Sequence, residues 1–170
     1  MAGAKEYYQN NKEQAKTARR NYYKKNKKTL YPKSLAYSKK HREENPEMYR
    51  MYYINYRARK RSLPNTLTPE ETEDIVKYFR GECSVCSDTF EHLDHFIPLS
   101  SGCGGTTKEN VVPMCGSCNK SKGAKNPFEW RDLLPEGDRE RFDSLVVYLT
   151  EINGIAAVED YEAHVNQCFK

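Results

Sequence analysis

Apolar residues recur with the period of an α-helix mainly in the second half of the chain. Thr68 and Glu71 have the spacing of a capping box, and Pro69 between them suits the first position of a helix. Residues 138–152 place a larger apolar set on one helical face, namely Phe142, Leu145, Val146, Leu149 and Ile152. A last helix is expected over about residues 156–168. These patterns predict a packed, mainly helical region.

The middle of the chain shows a different pattern. It runs from residues 91–100, through a glycine-rich turn at 102–105, to a second short apolar run at 111–114. Short apolar runs bounded by turn residues are typical of strands, and the residues after 115 suit a helix that ends at Gly123. The expected fold class is therefore α+β, a mostly helical chain with a small strand, strand, helix (ββα) core.

The first 61 residues, which we call the arm, have almost no apolar face and instead repeat a short unit. Residue pairs that begin with tyrosine recur every 15 positions, each followed by a basic residue: Tyr7-Tyr8 with Lys12, Tyr22-Tyr23 with Lys27, Tyr37-Ser38 with Arg42, and Tyr52-Tyr53 with Arg57. The composition favours helix, but Pro32 and Pro46 are each expected to begin a new segment, giving helices over about 4–30, 33–44 and 47–61. With only six Leu, Ile or Met residues, the arm cannot bury a core of its own.

Charge separates the arm from the rest of the chain. Of the 170 residues, the arm holds 18 Lys and Arg against 5 Asp and Glu, whereas the remainder holds 10 against 19. The arm also contains ten of the 13 tyrosines, which suits contacts with phosphates, sugars and unstacked bases. We expect it to bind nucleic acid through its basic residues: Arg19, Arg20, Lys24, Lys25, Lys27, Lys28, Arg57, Arg59, Lys60 and Arg61. The alternative is a solvated basic helix whose tyrosines pack on the rest of the chain or on a partner subunit.

Six cysteines provide the clearest chemical signal. Four of them form two C-x-x-C pairs separated by 28 residues, Cys83 with Cys86 and Cys115 with Cys118. Four thiolates on two tight turns supply a closed tetrahedral set for structural Zn²⁺. A redox C-x-x-C and free thiols are the competing interpretations. Three other residues are expected to be incidental: His92, Cys103 and Cys168.

Several sequence elements around these cysteines occur in a fixed order. The order is the first C-x-x-C, Asp94-His95 with Pro98 after two further residues, the glycine loop, Glu109-Asn110 before an apolar run, the second C-x-x-C with Asn119, and Lys122-Gly123. It resembles the HNH endonucleases, nucleases with a ββα-metal site, over about residues 70–130. Together with the Tyr- and Lys-rich repeat before it, the arrangement is similar to proteins encoded by phages and mobile elements.

The resemblance implies roles for individual residues. His95 would be the general base that takes a proton from water for attack on a phosphodiester. Asp94 and Asn119 would bind a catalytic divalent ion, with Mg²⁺ as the expected ion. Asn110 would brace the loop backbone so that His95 points inward, and Lys122, on the same helix face as Asn119, would contact phosphate. His95, Asn110 and Asn119 are thus the candidate catalytic residues.

Two features of the motif have structural consequences. Asn119 stands where the family's name places a second histidine, so the motif is H-N-N, and ligation by an amide oxygen serves the same ion. A regular strand sends Asp94 and His95 to opposite faces, so a bulge or a sharp twist is expected there if both are to serve one site.

The sequence therefore predicts a metal-dependent HNH endonuclease that hydrolyses DNA, expected to be double-stranded, by nicking or by double-strand cleavage. Residues 1–61 would form the nucleic-acid-binding arm, 62–68 a linker, 69–135 the nuclease domain with its zinc site, and 136–170 C-terminal helices that pack on it or form a homodimer surface. Two alternatives stay open: a non-catalytic zinc-ribbon protein that binds DNA or RNA, and a nuclease that acts on RNA. No apolar run or signal core marks the chain for membrane or export, so a cytoplasmic protein of a bacterial or phage-infected cell is expected.

Overall fold

The computed structural model describes residues 3–170 of the chain, with side chains from residue 11 onward. In that range the elements are, in chain order, α1 (Gly3–Glu44), α2 (Pro46–Arg59), α3 (Pro69–Tyr78), β1 (His92–His95), a 3₁₀ turn (Leu99–Ser101), β2 (Val111–Met114), α4 (Gly116–Lys122), α5 (Pro127–Arg131), α6 (Glu136–Ile152) and α7 (Val158–Gln167). A mostly helical chain with a two-stranded antiparallel sheet confirms the predicted α+β class. No helix in this range is both long and apolar enough to cross a membrane.

The first compact unit of the chain, Met1–Pro46, contains the long helix α1. Pro32 lies inside α1, so the predicted break at this proline is wrong. The residues around Pro32 are exposed, so water can hydrogen-bond to the Lys28 carbonyl oxygen that the proline leaves without an N–H partner. The side chains of the first tyrosine pair, Tyr7-Tyr8, lie outside the described residues.

The second compact unit, Glu47–Lys170, includes nearly all of α2. Pro46 is the first residue of this helix, as predicted. One face of α2 is buried and holds Met51, Ile54 and Ala58. Two of these residues, Met51 and Ile54, form an apolar cluster with Leu67, Ile75 and Val111. The first compact unit therefore ends at Pro46, within the segment that the sequence analysis calls the arm. Three apolar positions in a basic segment are too few to reveal a packed helix face from the sequence.

Helix α3 begins as the sequence predicts. The hydroxyl of Thr68 accepts a hydrogen bond from the Glu71 N–H (3.2 Å), and the Glu71 carboxylate accepts one from the Thr68 N–H (3.0 Å). Pro69 occupies the start of the helix, and Ile75 is buried against α2 in the apolar cluster described above. The capping box thus sets where α3 begins and which face it buries.

Residues 62–68, predicted to be a linker, are held against the loop that precedes β2. The Thr106 N–H donates to the Pro64 carbonyl (2.8 Å), and the Leu67 N–H donates to the Thr106 carbonyl (3.0 Å). Leu67 is also buried. This segment therefore fixes the position of Thr106.

Strands β1 and β2 form a regular antiparallel hairpin. Four consecutive residue pairs face each other: His92 with Met114, Leu93 with Pro113, Asp94 with Val112, and His95 with Val111. The hairpin has no bulge at Asp94 and His95, so the expected bulge is absent and successive side chains alternate between the two faces. Leu93 and Val111 join the apolar cluster of α2 and α3 on one face. Val112 and Met114 join the main core on the other face.

The main core lies between the hairpin, the cysteine turns and the C-terminal helices. Aromatic rings of Phe96, Trp130, Phe142 and Tyr161 form its centre, with centroid distances near 6 Å between neighbouring rings. A disulfide between Cys103 and Cys168 joins the glycine-rich turn to the residue that follows α7. The expectation that these two cysteines are incidental is wrong. They are 65 residues apart in the sequence, and only the packing of α7 on the core brings them together.

Candidate active site and metal centre

The four cysteines of the C-x-x-C pairs meet at one point beside the hairpin. Their Sγ atoms all lie within 4.8 Å of one another, and those of Cys86 and Cys115 are 3.5 Å apart. Zinc–sulfur bonds of about 2.3 Å give a tetrahedron with edges of about 3.8 Å, so the sulfur positions fit a Zn²⁺ site. No other group of three or more His, Cys, Asp or Glu side chains within the described residues could hold a metal ion.

The thiol chemistry supports the same interpretation. None of the four cysteines forms a disulfide. Burial raises the pKa of Cys86 to about 12 and also raises the pKa of Cys118. Burial acts to raise the pKa of Cys83 as well, but backbone hydrogen bonds from Cys86, Cys115 and Val85 lower it. A bound cation would stabilise the thiolates of all four sulfurs. The cluster is therefore compatible with structural zinc.

The second cysteine pair also begins α4. The Cys115 Sγ accepts a hydrogen bond from the Cys118 N–H (3.4 Å) and so caps the helix. The first pair is tied to β2, because the Ser84 N–H donates to the Pro113 carbonyl (2.9 Å). A metal bound by both pairs would thus fix α4 relative to the hairpin.

Asn110 braces the loop between the two strands. Its Oδ1 accepts from the Ile97 N–H (2.8 Å), and its Nδ2 donates to the carbonyls of Ile97 (3.0 Å) and Gly105 (2.8 Å). Gly104 has φ +67°, and a Cβ there would lie 2.6 Å from the Asn110 Nδ2, so the close approach requires glycine. These hydrogen bonds hold the loop backbone, and the side chain of Asn110 is buried.

His95 is the last residue of β1 and its side chain is directed towards α2. Only 5% of the residue is exposed. Its Nε2 lies 2.8 Å from the Thr106 Oγ1, and that hydroxyl lies 3.1 Å from the Ile54 carbonyl oxygen on α2. Burial, together with the positive charges of Arg57 and Lys122, lowers the pKa of His95 to about 4. The imidazole is therefore neutral at pH 7 and has a lone pair that can accept a proton, but its lowered pKa makes it a weaker base than an ordinary histidine.

Asp94 is directed towards α4, where it meets Lys122. The Lys122 Nζ donates to the Asp94 Oδ2 (2.7 Å) and to the His95 carbonyl (2.8 Å), and Lys122 is completely buried. Burial lowers the pKa of Lys122, while the Asp94 carboxylate acts to raise it. The sequence analysis expected this lysine to contact phosphate, but its ammonium is enclosed and fastens α4 to β1.

Asn119 lies on α4 three residues before Lys122 and is half-buried. Residues three apart on a helix share one side, so Asn119 lies on the side of α4 that faces Asp94. Lys122 contacts one oxygen of the Asp94 carboxylate, which leaves the Oδ1 for a cation. A carboxylate oxygen and an amide oxygen are suitable ligands for Mg²⁺, which keeps several waters and needs few protein ligands. The residues present therefore fit a hard divalent ion.

The side chains of Asp94, His95 and Asn119 do not all lie on the same side of the hairpin. Asp94 and Asn119 lie on the α4 side, whereas His95 lies on the α2 side. The two sides meet at the end of β1, where Lys122 bonds to both Asp94 and the backbone of His95. A phosphate contacted by all three groups would have to bind at this end of the hairpin.

The basic residues of the arm that are predicted to bind nucleic acid are all exposed, unlike Lys122. They lie on α1, on α2 and directly after α2, and include Arg19, Arg20, Lys24, Lys25, Lys27, Lys28, Arg57, Arg59, Lys60 and Arg61. The charge of Arg57 lowers the pKa of His95 after the larger effect of burial, so the basic end of α2 lies close to the site.

Sequence reasoning missed Thr106 and the Ile54 carbonyl as neighbours of His95. Thr106 follows the glycine-rich turn without any pattern around it, and a main-chain carbonyl has no sequence signal. Lys122 was singled out, but its partner Asp94 is 28 residues away and was assigned to a metal.

The comparisons with known proteins agree with this geometry. Residues 83–125 match the family model described as HNH endonuclease. No curated protein and no solved structure matches the chain. The matched segment contains all four cysteines of the metal cluster, both strands, α4, and the motif residues Asp94, His95, Asn110 and Asn119. Residues 83–125 are therefore similar to the HNH endonuclease family, and this similarity supports a nuclease-type function with a nucleic acid as the substrate.

Proposed function

We propose that this protein is a metal-dependent endonuclease that hydrolyses phosphodiester bonds of double-stranded DNA. The observation that carries the proposal is the position of His95. It is a buried, neutral imidazole at the end of a hairpin whose opposite face directs Asp94 towards Lys122 on α4, the helix that also carries Asn119. A neutral base beside a site for a hard cation is the combination that phosphodiester hydrolysis requires.

In the proposed reaction His95 accepts a proton from a water molecule as that water attacks the phosphorus. Asp94 and Asn119 would hold a divalent cation, expected to be Mg²⁺, which supplies positive charge beside the scissile phosphate and the leaving oxygen. In an in-line displacement the attacking water and the leaving oxygen lie on opposite sides of the phosphorus. The location of His95 on one side of the hairpin and Asp94 on the other suits this geometry. The products would carry 5′-phosphate and 3′-hydroxyl ends.

Charge supports a role for α1 in holding the DNA. Between residues 14 and 42 this helix has eleven Lys and Arg and no Asp or Glu. Residues 47–170 carry 15 Lys and Arg against 20 Asp and Glu, so their net charge opposes approach to a polyanion. The basic helix would therefore supply most of the sequence-independent affinity.

Deleting residues 1–46 should weaken DNA binding and reduce its dependence on salt. If about half of the eleven cations between residues 14 and 42 contact phosphates, the slope of log K against log salt concentration should fall by about 5. Fluorescence anisotropy with a labelled duplex at several salt concentrations measures this slope.

Deletion of residues 1–61 is the matched comparison for that truncation. It also removes Met51, Ile54 and Ala58 from the second unit, so we expect a lower melting temperature as well as weaker binding. The shorter deletion should leave the melting temperature of the second unit unchanged. An unaltered salt slope after deletion of residues 1–46 would contradict a DNA-binding role for α1.

One observation favours a second candidate function, a zinc-containing protein that binds DNA or RNA without cutting it. The Lys122 ammonium is 2.7 Å from the Asp94 Oδ2 and already neutralises the carboxylate that would hold the catalytic cation. If that ion pair excluded the cation, the domain would keep its fold and lose its chemistry. We favour the nuclease because Lys122 contacts the Asp94 Oδ2, so a cation would still have the Oδ1 and the amide of Asn119 as candidate ligands.

Incubation with Mg²⁺ and supercoiled plasmid distinguishes these candidates. Formation of nicked circles or linear DNA, and its absence when Mg²⁺ is chelated, supports the nuclease. Linear product that appears without a nicked intermediate indicates a dimer that cuts both strands. A mobility shift without cleavage supports the binding protein and contradicts the nuclease. A parallel reaction with structured RNA identifies an RNA substrate. The zinc content should be measured after chelation, because loss of Zn²⁺ would also abolish cleavage.

A further inference from the structure

Thr106 connects the proposed general base to helix α2. Its side chain is completely buried between the two. The Thr106 Oγ1 is 2.8 Å from the His95 Nε2 and 3.1 Å from the Ile54 carbonyl oxygen. Both distances are within hydrogen-bond range, and the hydroxyl has a single hydrogen to donate.

The positions of the hydrogens follow from what each atom can do. The Ile54 carbonyl can only accept, so its contact with Thr106 is a hydrogen bond only if the hydroxyl donates to it. The hydroxyl oxygen then has lone pairs but no hydrogen left for His95. The contact at 2.8 Å is a hydrogen bond in that case only if the His95 Nε2 carries the hydrogen and donates it. The opposite arrangement would leave two oxygen lone pairs facing each other in a buried space.

We infer that Thr106 is a positioning residue that holds His95 in the Nε2–H tautomer, so that the Nδ1 carries the lone pair that accepts the proton from water. The inference rests on the proposed function for its catalytic consequence, but the tautomer itself can be measured without any reaction. Which imidazole nitrogen is protonated is set by the hydrogen bond that the ring makes. The base in this protein therefore depends on α2, which lies outside the matched HNH segment.

The backbone around Thr106 is held firmly enough for this role. The Thr106 N–H donates to the Pro64 carbonyl (2.8 Å), and the Thr106 carbonyl accepts from the Leu67 N–H (3.0 Å). Gly105 has φ +142°, and a Cβ there would lie 2.6 Å from the Pro64 carbonyl oxygen. The Gly105 carbonyl in turn accepts from the Asn110 Nδ2. Residues on both sides thus fix the hydroxyl before substrate binds, which avoids rearrangement during the reaction.

The first test is the tautomer of His95 in the full-length, zinc-loaded protein without Mg²⁺. Long-range ¹⁵N–¹H correlation spectra distinguish Nε2–H from Nδ1–H imidazoles, and the His95→Gln variant identifies which signals belong to His95. We expect the Nε2–H tautomer in the wild type and in Thr106→Ser, which keeps the hydroxyl. In Thr106→Val, which keeps the shape, we expect the Nδ1–H tautomer to become populated. A wild-type Nδ1–H tautomer, or an unchanged tautomer in Thr106→Val, would overturn the inference.

The second test is the kinetic effect of the same variants. Thr106→Val should lower kcat by about 10- to 100-fold with KM for plasmid unchanged, whereas Thr106→Ser should stay within a few-fold of the wild type. Melting temperatures show whether Thr106→Val has lost stability. If it has, the comparison of kcat is made between Thr106→Ser and the wild type. Equal losses of kcat in the Ser and Val variants of equal stability would contradict the role of the hydroxyl. A wild-type protein that never cuts would refute the proposed function while leaving the tautomer measurement valid.

Discussion

Removing zinc is expected to unfold the second compact unit, a larger loss of stability than any single substitution outside the cysteine cluster should cause. Three of the four cluster cysteines, Cys83, Cys115 and Cys118, are buried in the main core, so the metal would lie within the packing of the domain. Structural zinc contributes on the order of 10 kcal/mol of apparent binding free energy. This is as large as the whole free energy of unfolding of an ordinary domain, about 5–15 kcal/mol. Without the ion, the two-stranded hairpin and the short α4 would depend on the hydrogen bonds of Lys122 and on apolar packing, and a two-stranded hairpin is marginally stable by itself.

The measurement is metal analysis followed by chelation. We expect one zinc per chain, loss of near-ultraviolet circular dichroism when a strong chelator removes it, and recovery when zinc is returned. Cys118→Ser should behave like the chelated protein. Cys103→Ser is the matched control, because Cys103 lies outside the cluster and should leave the zinc content at one. A stable, cooperatively folding protein with no bound metal would contradict the structural role of zinc.

The parts of the fold that sequence predicted well are those in which one short segment carries the whole signal. The two C-x-x-C pairs need no distant information, because the spacing of each pair places two sulfurs on one turn. The start of α3 at the Thr68 and Glu71 capping box, and the end of α4 near Gly123, depend only on neighbouring residues. The resemblance to the HNH family also singled out Asn110, whose side chain hydrogen-bonds to the backbone of the loop between the strands.

The parts that sequence did not predict depend on residues far apart in the chain. The disulfide between Cys103 and Cys168 needs α7 to reach the glycine-rich turn. The ion pair of Lys122 with Asp94 needs α4 to pack on β1, which removes the lysine from solvent. Pro32 shows a different limit, since local propensity predicts a break at proline but an exposed helix can tolerate the lost hydrogen bond.

Helix α2 is the clearest case in which charge misled the interpretation. Its basic residues placed it with the arm, yet Met51 and Ile54 pack on α3 and β2, and the Ile54 carbonyl accepts a hydrogen bond from Thr106. A helix can present cations on one face and bury another, so net charge alone does not define a domain boundary. In this protein the same helix would bring Arg57 to the substrate and support the general base.

Replacing His95 should nearly abolish cleavage while leaving DNA binding intact. General-base catalysis contributes about 10²- to 10⁴-fold, and both His95→Ala and His95→Gln remove the nitrogen that accepts the proton. Binding should change little because the wild-type imidazole is buried and neutral at pH 7 and therefore adds no charge to the DNA-binding surface. Plasmid cleavage under single-turnover conditions gives the rate, and fluorescence anisotropy gives the affinity.

Two variants and one control separate chemistry from stability in that experiment. His95→Ala leaves a cavity in a buried position. His95→Gln keeps more of the side-chain volume and can still hydrogen-bond to Thr106. If both variants lose the same amount of cleavage rate, the cavity alone cannot be the cause. His92→Ala is the matched control, because His92 lies on the same strand but its side chain is 53% exposed and pairs with Glu91 at 4.0 Å. It should cut at the wild-type rate. If His95→Gln did the same with an unchanged melting temperature, His95 would not be the base and the proposed mechanism would be wrong.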